Sequence, residues 1–250
     1  MKKTMNNFSH PFFDDVIYYN KLDSTSKRAE KLIKANEVQG NFLVIAGKQS
    51  SGIGRMKNSW FSPKGGIWIT AAIYGLSVES NLTIFTGICI HQALIELFPE
   101  IKSKLKIKWP NDIYLSDKKL CGILSKHLLA RKYHLIGIGV NSNITVFPDE
   151  LTNTATSLQK ELRTDVDNTE MMRTIFDKFS EYLPEFIEGK LDIKYFNRYS
   201  LLKGKKVELD TDFDKFSGIA KGINKSGALL IELKPGMIQP FYAGTAVSWT

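Results

Sequence analysis

Three short runs, FLVIAG (42–47), GIWITAAIY (66–74) and HLIGIGV (134–140), are apolar almost from end to end. Such runs are too short for core helices and lack a helical repeat, so they read as buried strands. Whatever fold the chain adopts must therefore cover a sheet. VIYYN (16–20) is a further strand, followed by LDST and a helical pattern with Ala29, Leu32 and Ile33 on one face. Ser24, Thr25 or Ser26 can cap that helix. A buried helix is expected over 81–98, with Ile84, Phe85, Ile88, Ala93 and Ile95 near a 3.6-residue period, and an amphipathic one over 168–188. KIKWPNDIYL and KLCGILSKHL read as two strands joined by a turn at SDK. Near residue 200 the style changes. KKVELDT, FSGIAKGIN, GALLIEL and QPFYAGTAV are short strands divided by Gly, Pro, Asn and Asp, the pattern of a small barrel. A boundary near Ser200 gives two domains, 1–199 and 200–250.

At 250 residues and 43% hydrophobic content the chain can build a sizeable core. MKKTMNNFSHPFFDD has no apolar run behind its lysines, and GGIWITAAIYGL is too short to span a bilayer. Cys89 and Cys121 offer neither a disulfide framework nor a metal spacing, which points to a reducing cytoplasm. His10, His91, His127 and His134 show no metal-ligand spacing either. The net charge is +8, from 34 basic and 26 acidic residues that interleave without a long basic block. A basic surface attracts nucleic acid, nucleotides or acidic proteins.

Three stretches carry chemistry. In KQSSGIGRMKNSW (48–60), Gly47 to Gly52 match the outer spacing of a phosphate loop, but Ile53 and Gly54 follow where Lys and Ser or Thr belong. Lys57 likewise stands where a dinucleotide-binding loop has its third Gly. Gly52 and Gly54 allow positive φ and close approach to a ligand, beside the charges of Arg55 and Lys57. In KWPNDIYLSDKKLCGIL (108–124), Pro110 biases Trp109 towards extended backbone and sets Asn111 and Asp112 at a stiff strand entrance. Lys119 should lie about three residues' rise, ~10 Å, from Asp112 along the hairpin. In IGIGVNSN (136–143), Gly137 and Gly139 leave bare alternate positions where a flat ligand could lie, with Asn141 beyond them.

Together these stretches resemble the biotin protein ligases. The family's glycine- and arginine-rich loop after a Gln, with a Trp beyond, stands here as Gln49, Gly52, Gly54, Arg55 and Trp60. Its K-W-P-N-D with K-x-x-G-I-L is Lys108 to Asp112 and Lys119 to Leu124, and its G-x-G-[IV]-N is Gly137 to Asn141. Ser24-Thr25 after LD, TSL at 156–158 and the late GIAKGINKSGALLIE also fit. The resemblance implies an α/β catalytic domain with a mixed sheet, followed by an SH3-like barrel. It implies formation of biotinyl-5′-AMP from biotin and ATP, then attack by a lysine of a biotin carboxyl carrier domain. Ser24, Thr25, Gln49 and Gly52 would serve the biotin ring, with Gly137 and Gly139 leaving space along the ligand. Lys119 would contact the biotin carboxylate and stabilise charge developing on acyl or phosphate oxygens. Arg55 and Lys108 would address phosphates, Trp60 and Asn141 the adenine, and Asp112 with Asn111 a Mg²⁺ ion or the incoming lysine. A homodimer is plausible by the same resemblance.

Two departures stand out. Ile53 replaces a usual Arg and Lys57 a usual Gly, so a leakier adenylate is expected. About fifteen residues precede the first strand, too few for a helix-turn-helix, so the expectation is a ligase that binds no DNA. The alternatives are a lipoate or octanoate ligase or transferase, and a non-enzymatic binder using the basic surface.

Overall fold

In a computed structural model of the chain, the structure describes residues 8–77, 81–211 and 213–250. Nine of its strands precede residue 141: β1 (Asp15–Tyr19), β2 (Phe42–Ala46), β3 (Gly52–Ile53), β4 (Ser59–Trp60), β5 (Ile67–Tyr74), β6 (Leu105–Lys108), β7 (Asp112–Leu115), β8 (Lys118–Leu128) and β9 (Tyr133–Val140). Seven of these form one mixed sheet in the order β1-β2-β5-β9-β8-β7-β6. β1 and β2 are parallel and the remaining pairs antiparallel. β3 and β4 make a separate two-stranded hairpin.

Why the central strands are apolar throughout is plain from their alternation. Leu43 and Ile45 of β2 enter the main core with helix α2 (Leu82–Leu97) and helix α4 (Asn168–Ile187). Phe42 and Val44 point the other way, onto Ala29, Leu32 and Ile33 of helix α1 (Thr25–Lys34). Both faces are covered, so neither can be polar. The α1 face changes character along its length. One end carries Ala72 and Leu135; at the other end the same parity places Thr70, Gly137 and Gly139, and the floor is left bare.

The expected two-strand reading of 106–128 is corrected. KIKWPNDIYL is two strands, β6 and β7, because the Trp109-Pro110-Asn111 turn between them removes one backbone donor and reverses the chain.

The short helix α3 (Leu158–Leu162) and helix α5 (Ile193–Tyr199) lead to the C-terminal strands. β10 (Lys206–Asp210), β11 (Lys215–Ile223), β12 (Leu229–Lys234), β13 (Met237–Phe241) and β14 (Thr245–Trp249) form an antiparallel sheet in the order β13-β12-β11-β10-β14. The stretch read as one strand, QPFYAGTAV, is split between β13 and β14 by residues 242–244, with Gly244 at φ 140°. Register shifts in three of the four ladders bend this sheet. Among the described residues no ladder joins β13 to β14. The C-terminal sheet docks firmly on β6. Leu201 N–H donates to Ile107 O at 2.8 Å, Trp109 Nε1 to Gly227 O at 3.0 Å, and Val207, Leu209 and Ile231 share the main core. Among the described residues no helix is long and apolar enough to cross a membrane.

Candidate active site

A cavity of about 320 Å³ opens over the bare end of the α1 face. It is lined by Ser24, Thr25, Ser26 and Gln49 at one end and by Arg55, Asn111, Asp112 and Lys119 at the other. Between them lie Gly122, Gly137, Gly139, Trp60 and Asn141. The three sequence stretches therefore meet at one place, although about ninety residues separate Gln49 from Gly139 along the chain.

Lys119 reaches the cavity because of a β-bulge. Asp112 pairs with Gly122, yet Tyr114 pairs with Lys119, so one extra residue is inserted in β8. Three residues apart on a regular strand, Lys119 and Gly122 would face opposite sides; the bulge turns both to the cavity and leaves Leu120 in the core. Lys119 N–H donates to Thr154 O at 2.8 Å and its carbonyl accepts from Thr156 N–H at 3.0 Å. Here the TSL segment finds its purpose: it clamps the bulge. The Lys119 Nζ then lies 2.8 Å from Asp112 Oδ1 and 5.1 Å from the Trp60 ring centre. The ~10 Å separation expected between Asp112 and Lys119 is thus a direct ion pair, closed by the bulge and the length of the lysine. Asp112 is the one carboxylate among the described lining residues.

The loop of 48–60 is more ordered than its composition suggests. Gly52 and Ile53 pair with Trp60 and Ser59, and neither Gly52 nor Gly54 has a positive φ; Met56, at 53°, does. Gly52 is needed for space, since a Cβ there would come within 2.6 Å of Ser62 Oγ. Arg55 donates to Asn111 Oδ1 at 3.1 Å and to Gly244 O at 3.0 Å, so the loop is tied to both sheets. Ile53 lines the cavity, and the Lys57 side chain lies outside the described residues.

The bare floor needs a correction. Gly122 and Gly139 are cross-strand partners, and the Trp60 indole lies across both; a Cβ on Gly122 would stand 2.8 Å from it. The space at Gly139 is filled by the protein's own side chain, because a flat indole fits over two adjacent positions lacking Cβ. The Trp60 Nε1 donor is buried and, among the described residues, has no hydrogen-bond partner. Gly137 instead faces Ser26, whose Oγ would be 3.1 Å from an added Cβ.

Lys108 does not line the cavity. Its amine donates to Ala246 O at 2.9 Å and sits 4.1 Å over the Trp249 ring, and burial pulls its pKa down to about 8. Its placement suits a pin between the two sheets rather than a phosphate contact. Asn111 has both amide atoms committed, accepting from Arg55 and donating to Ile123 O at 2.7 Å. Asn141 donates to Thr156 O at 3.1 Å and so braces the segment that clamps Lys119.

At the other end, Gln49 Oε1 accepts from Thr25 N–H at 2.8 Å and Thr25 Oγ1 at 3.2 Å, and its Nε2 donates to Ser62 Oγ at 2.9 Å. Ser26, Ser62 and Thr70, absent from the sequence expectations as site residues, complete this network. A polar residue inside the apolar run IWITAAIY was the available signal for Thr70.

Residues 18–143 match the Biotin/lipoate A/B protein ligase family, and residues 204–248 match the Biotin protein ligase C terminal domain. The Bifunctional ligase/repressor BirA of Bacillus subtilis is 33% identical over 233 residues, covering 89% of this chain and 70% of that protein. The Biotin--[acetyl-CoA-carboxylase] ligase of Paracoccus denitrificans is 27% identical, covering 84% of this chain and 91% of its own length. Among solved structures, the biotin protein ligase of Aquifex aeolicus in complex with biotin and ATP superposes with a TM-score of 0.83 at 28% identity, covering 93% of this chain and 97% of that one. With the lysine–aspartate pair, the Gln49 network and both matched regions in place, the chain belongs to the biotin/lipoate ligase family, in its biotin protein ligase branch.

Proposed function

We propose that this protein activates biotin with ATP and transfers the biotinyl group to a lysine of a biotin carboxyl carrier domain. The observation that carries the reading is the Lys119–Asp112 pair, 2.8 Å apart, at one end of a cavity whose other end is a ring of hydroxyls and an amide. A cyclic urea suits the polar end, and a carboxylate suits the cationic one. The relatives named above as ligases, and the Aquifex complex with biotin and ATP, support it.

In the first step a biotin carboxylate oxygen attacks the α-phosphorus of ATP and pyrophosphate leaves. Lys119 holds the carboxylate against its repulsion from the phosphates and stabilises negative charge as the oxygens approach. Arg55, held by Asn111 and Gly244 O, sits beside the phosphate path. In the second step the carrier lysine's neutral amine attacks the acyl carbon, an amide forms and AMP leaves. Asp112, at the same end of the cavity, accepts the proton released from that amine. The mixed anhydride is destroyed by water, so Trp60 and the hairpin that carries it serve as a cover.

Mg²⁺ fits a site of this kind, since the ion prefers one or two carboxylates plus phosphate oxygens. Asp112 would supply the protein oxygen, and the ion would neutralise phosphate charge during displacement. In this reading residues 1–199 are the catalytic unit, 200–250 brace the loop through Gly244, and the protein works in the cytoplasm. Pyrophosphate exchange into ATP, run with biotin and then with lipoate, is the test. Dependence on biotin is expected. Dependence on lipoate alone, or no exchange with either, would overturn the proposal.

A further inference from the structure

Thr70 lies on β5 behind the cavity, fully buried, with its hydroxyl between two residues that line it. Thr70 Oγ1 is 2.9 Å from Thr25 Oγ1 and 3.1 Å from Ser26 Oγ. Counting protons fixes the direction of every bond. The Thr25 N–H must meet an acceptor, so the Gln49 atom 2.8 Å from it is the amide oxygen. That oxygen cannot donate, so the Thr25 hydroxyl gives its one proton to it. Thr25 then has no proton for Thr70, and Thr70 must donate to Thr25. Thr70 in turn has none left for Ser26, so Ser26 must donate to Thr70. Beyond Gln49 the direction continues, from Nε2 to Ser62 Oγ and from the Ser62 hydroxyl to Trp60 O at 3.0 Å.

We propose that Thr70 is a positioning residue for the biotin ring: it takes the Ser26 proton, so that Ser26, like Thr25, whose proton goes to Gln49, turns lone pairs and not a proton to the cavity. The inference rests on the biotin reading above. Thr25 keeps one lone pair and Ser26 two, and these accept ring N–H groups. Gln49 keeps one N–H, which suits the ring carbonyl. The site is thereby set to read a cyclic urea, while the same chain ties its polar end to the backbone of Trp60. A Ser26 hydroxyl free to rotate would offer a proton to the ligand's N–H as often as a lone pair, and ring binding would weaken.

Thr70→Val keeps the shape and removes the hydroxyl; Thr70→Ser keeps the hydroxyl. In biotin-dependent pyrophosphate exchange, Thr70→Val should raise the KM for biotin by about tenfold, the scale of one lost hydrogen-bond partner. The KM for ATP and kcat should stay within twofold, and Thr70→Ser should stay within twofold throughout. A thermal melt checks that each variant is folded, with Thr70→Ala replacing the valine variant if that does not fold. An unchanged KM for biotin in the folded variant would overturn the proposal, as would a parallel rise in both KM values or a loss confined to kcat. Absence of biotin-dependent exchange in the unmodified protein would remove the functional reading, and this inference with it.

Discussion

Replacing Lys119 by Met removes the one cation that the bulge in β8 delivers to the cavity while keeping the length of the side chain. Two losses follow, and they separate. The first is kinetic. Two unit charges about 4 Å apart interact by roughly 4 kcal/mol at an effective dielectric near 20. One preorganised donor is worth about 10²–10³ in kcat. The Lys119 side chain is 31% exposed, so water screens it and the lower end, about 10², applies. The second is a loss of stability, because the Asp112 side chain, 14% exposed, is left without its partner. About 1–2 kcal/mol is expected, less than for a fully buried pair. The double variant Lys119→Met/Asp112→Asn should recover most of the stability and none of the rate. Single-turnover formation of biotinyl-AMP and urea denaturation measure the two quantities. A single variant within threefold of the unmodified rate, or a double variant that recovers activity, would refute the assignment.

The remaining predictions are shorter. His91 is buried, bonded to Tyr195 Oη at 2.8 Å and 3.2 Å from Leu105 O, and burial lowers its pKa to about 4. It is neutral in the fold, whereas the unfolded chain takes up a proton near pH 6.5. Its contribution is therefore present above pH 6.5 and lost as the pH falls towards 4, by up to ~1.4 kcal/mol per unit; urea midpoints at pH 7 and pH 5 should show it, and His91→Gln should flatten the difference. Ile53→Arg should slow release of free biotinyl-AMP several-fold, measured by filtration of the loaded enzyme; equal retention would show that Ile53 costs nothing. Gly139→Val should displace the Trp60 indole, weaken biotin binding at least tenfold and red-shift the tryptophan emission, and an unchanged spectrum would contradict the packing described.

Much of this protein was legible in its residues. The apolar runs fixed which segments are central strands, since only strands covered on both faces can omit polar residues. The pairing of KWPND with KxxGIL, and the alternation of Gly137 and Gly139, marked the segments that meet at the cavity. What the residues did not disclose were contacts between distant segments. Nothing in KKLCGIL announces a bulge, because the bulge is set by the clamp of Thr154 and Thr156 on Lys119. Bare glycines look alike whether a ligand or an indole lies on them, and here Trp60 does. Lys108 reads as a phosphate contact until its amine is found on Ala246 O. Thr70 looks like any strand threonine until Thr25, 45 residues earlier, is set against it. Local pattern determined which elements form and which face is buried, because burial acts on each residue alone; hydrogen-bond direction, side-chain reach and shared space are properties of pairs, and only the tertiary structure chose the pairs.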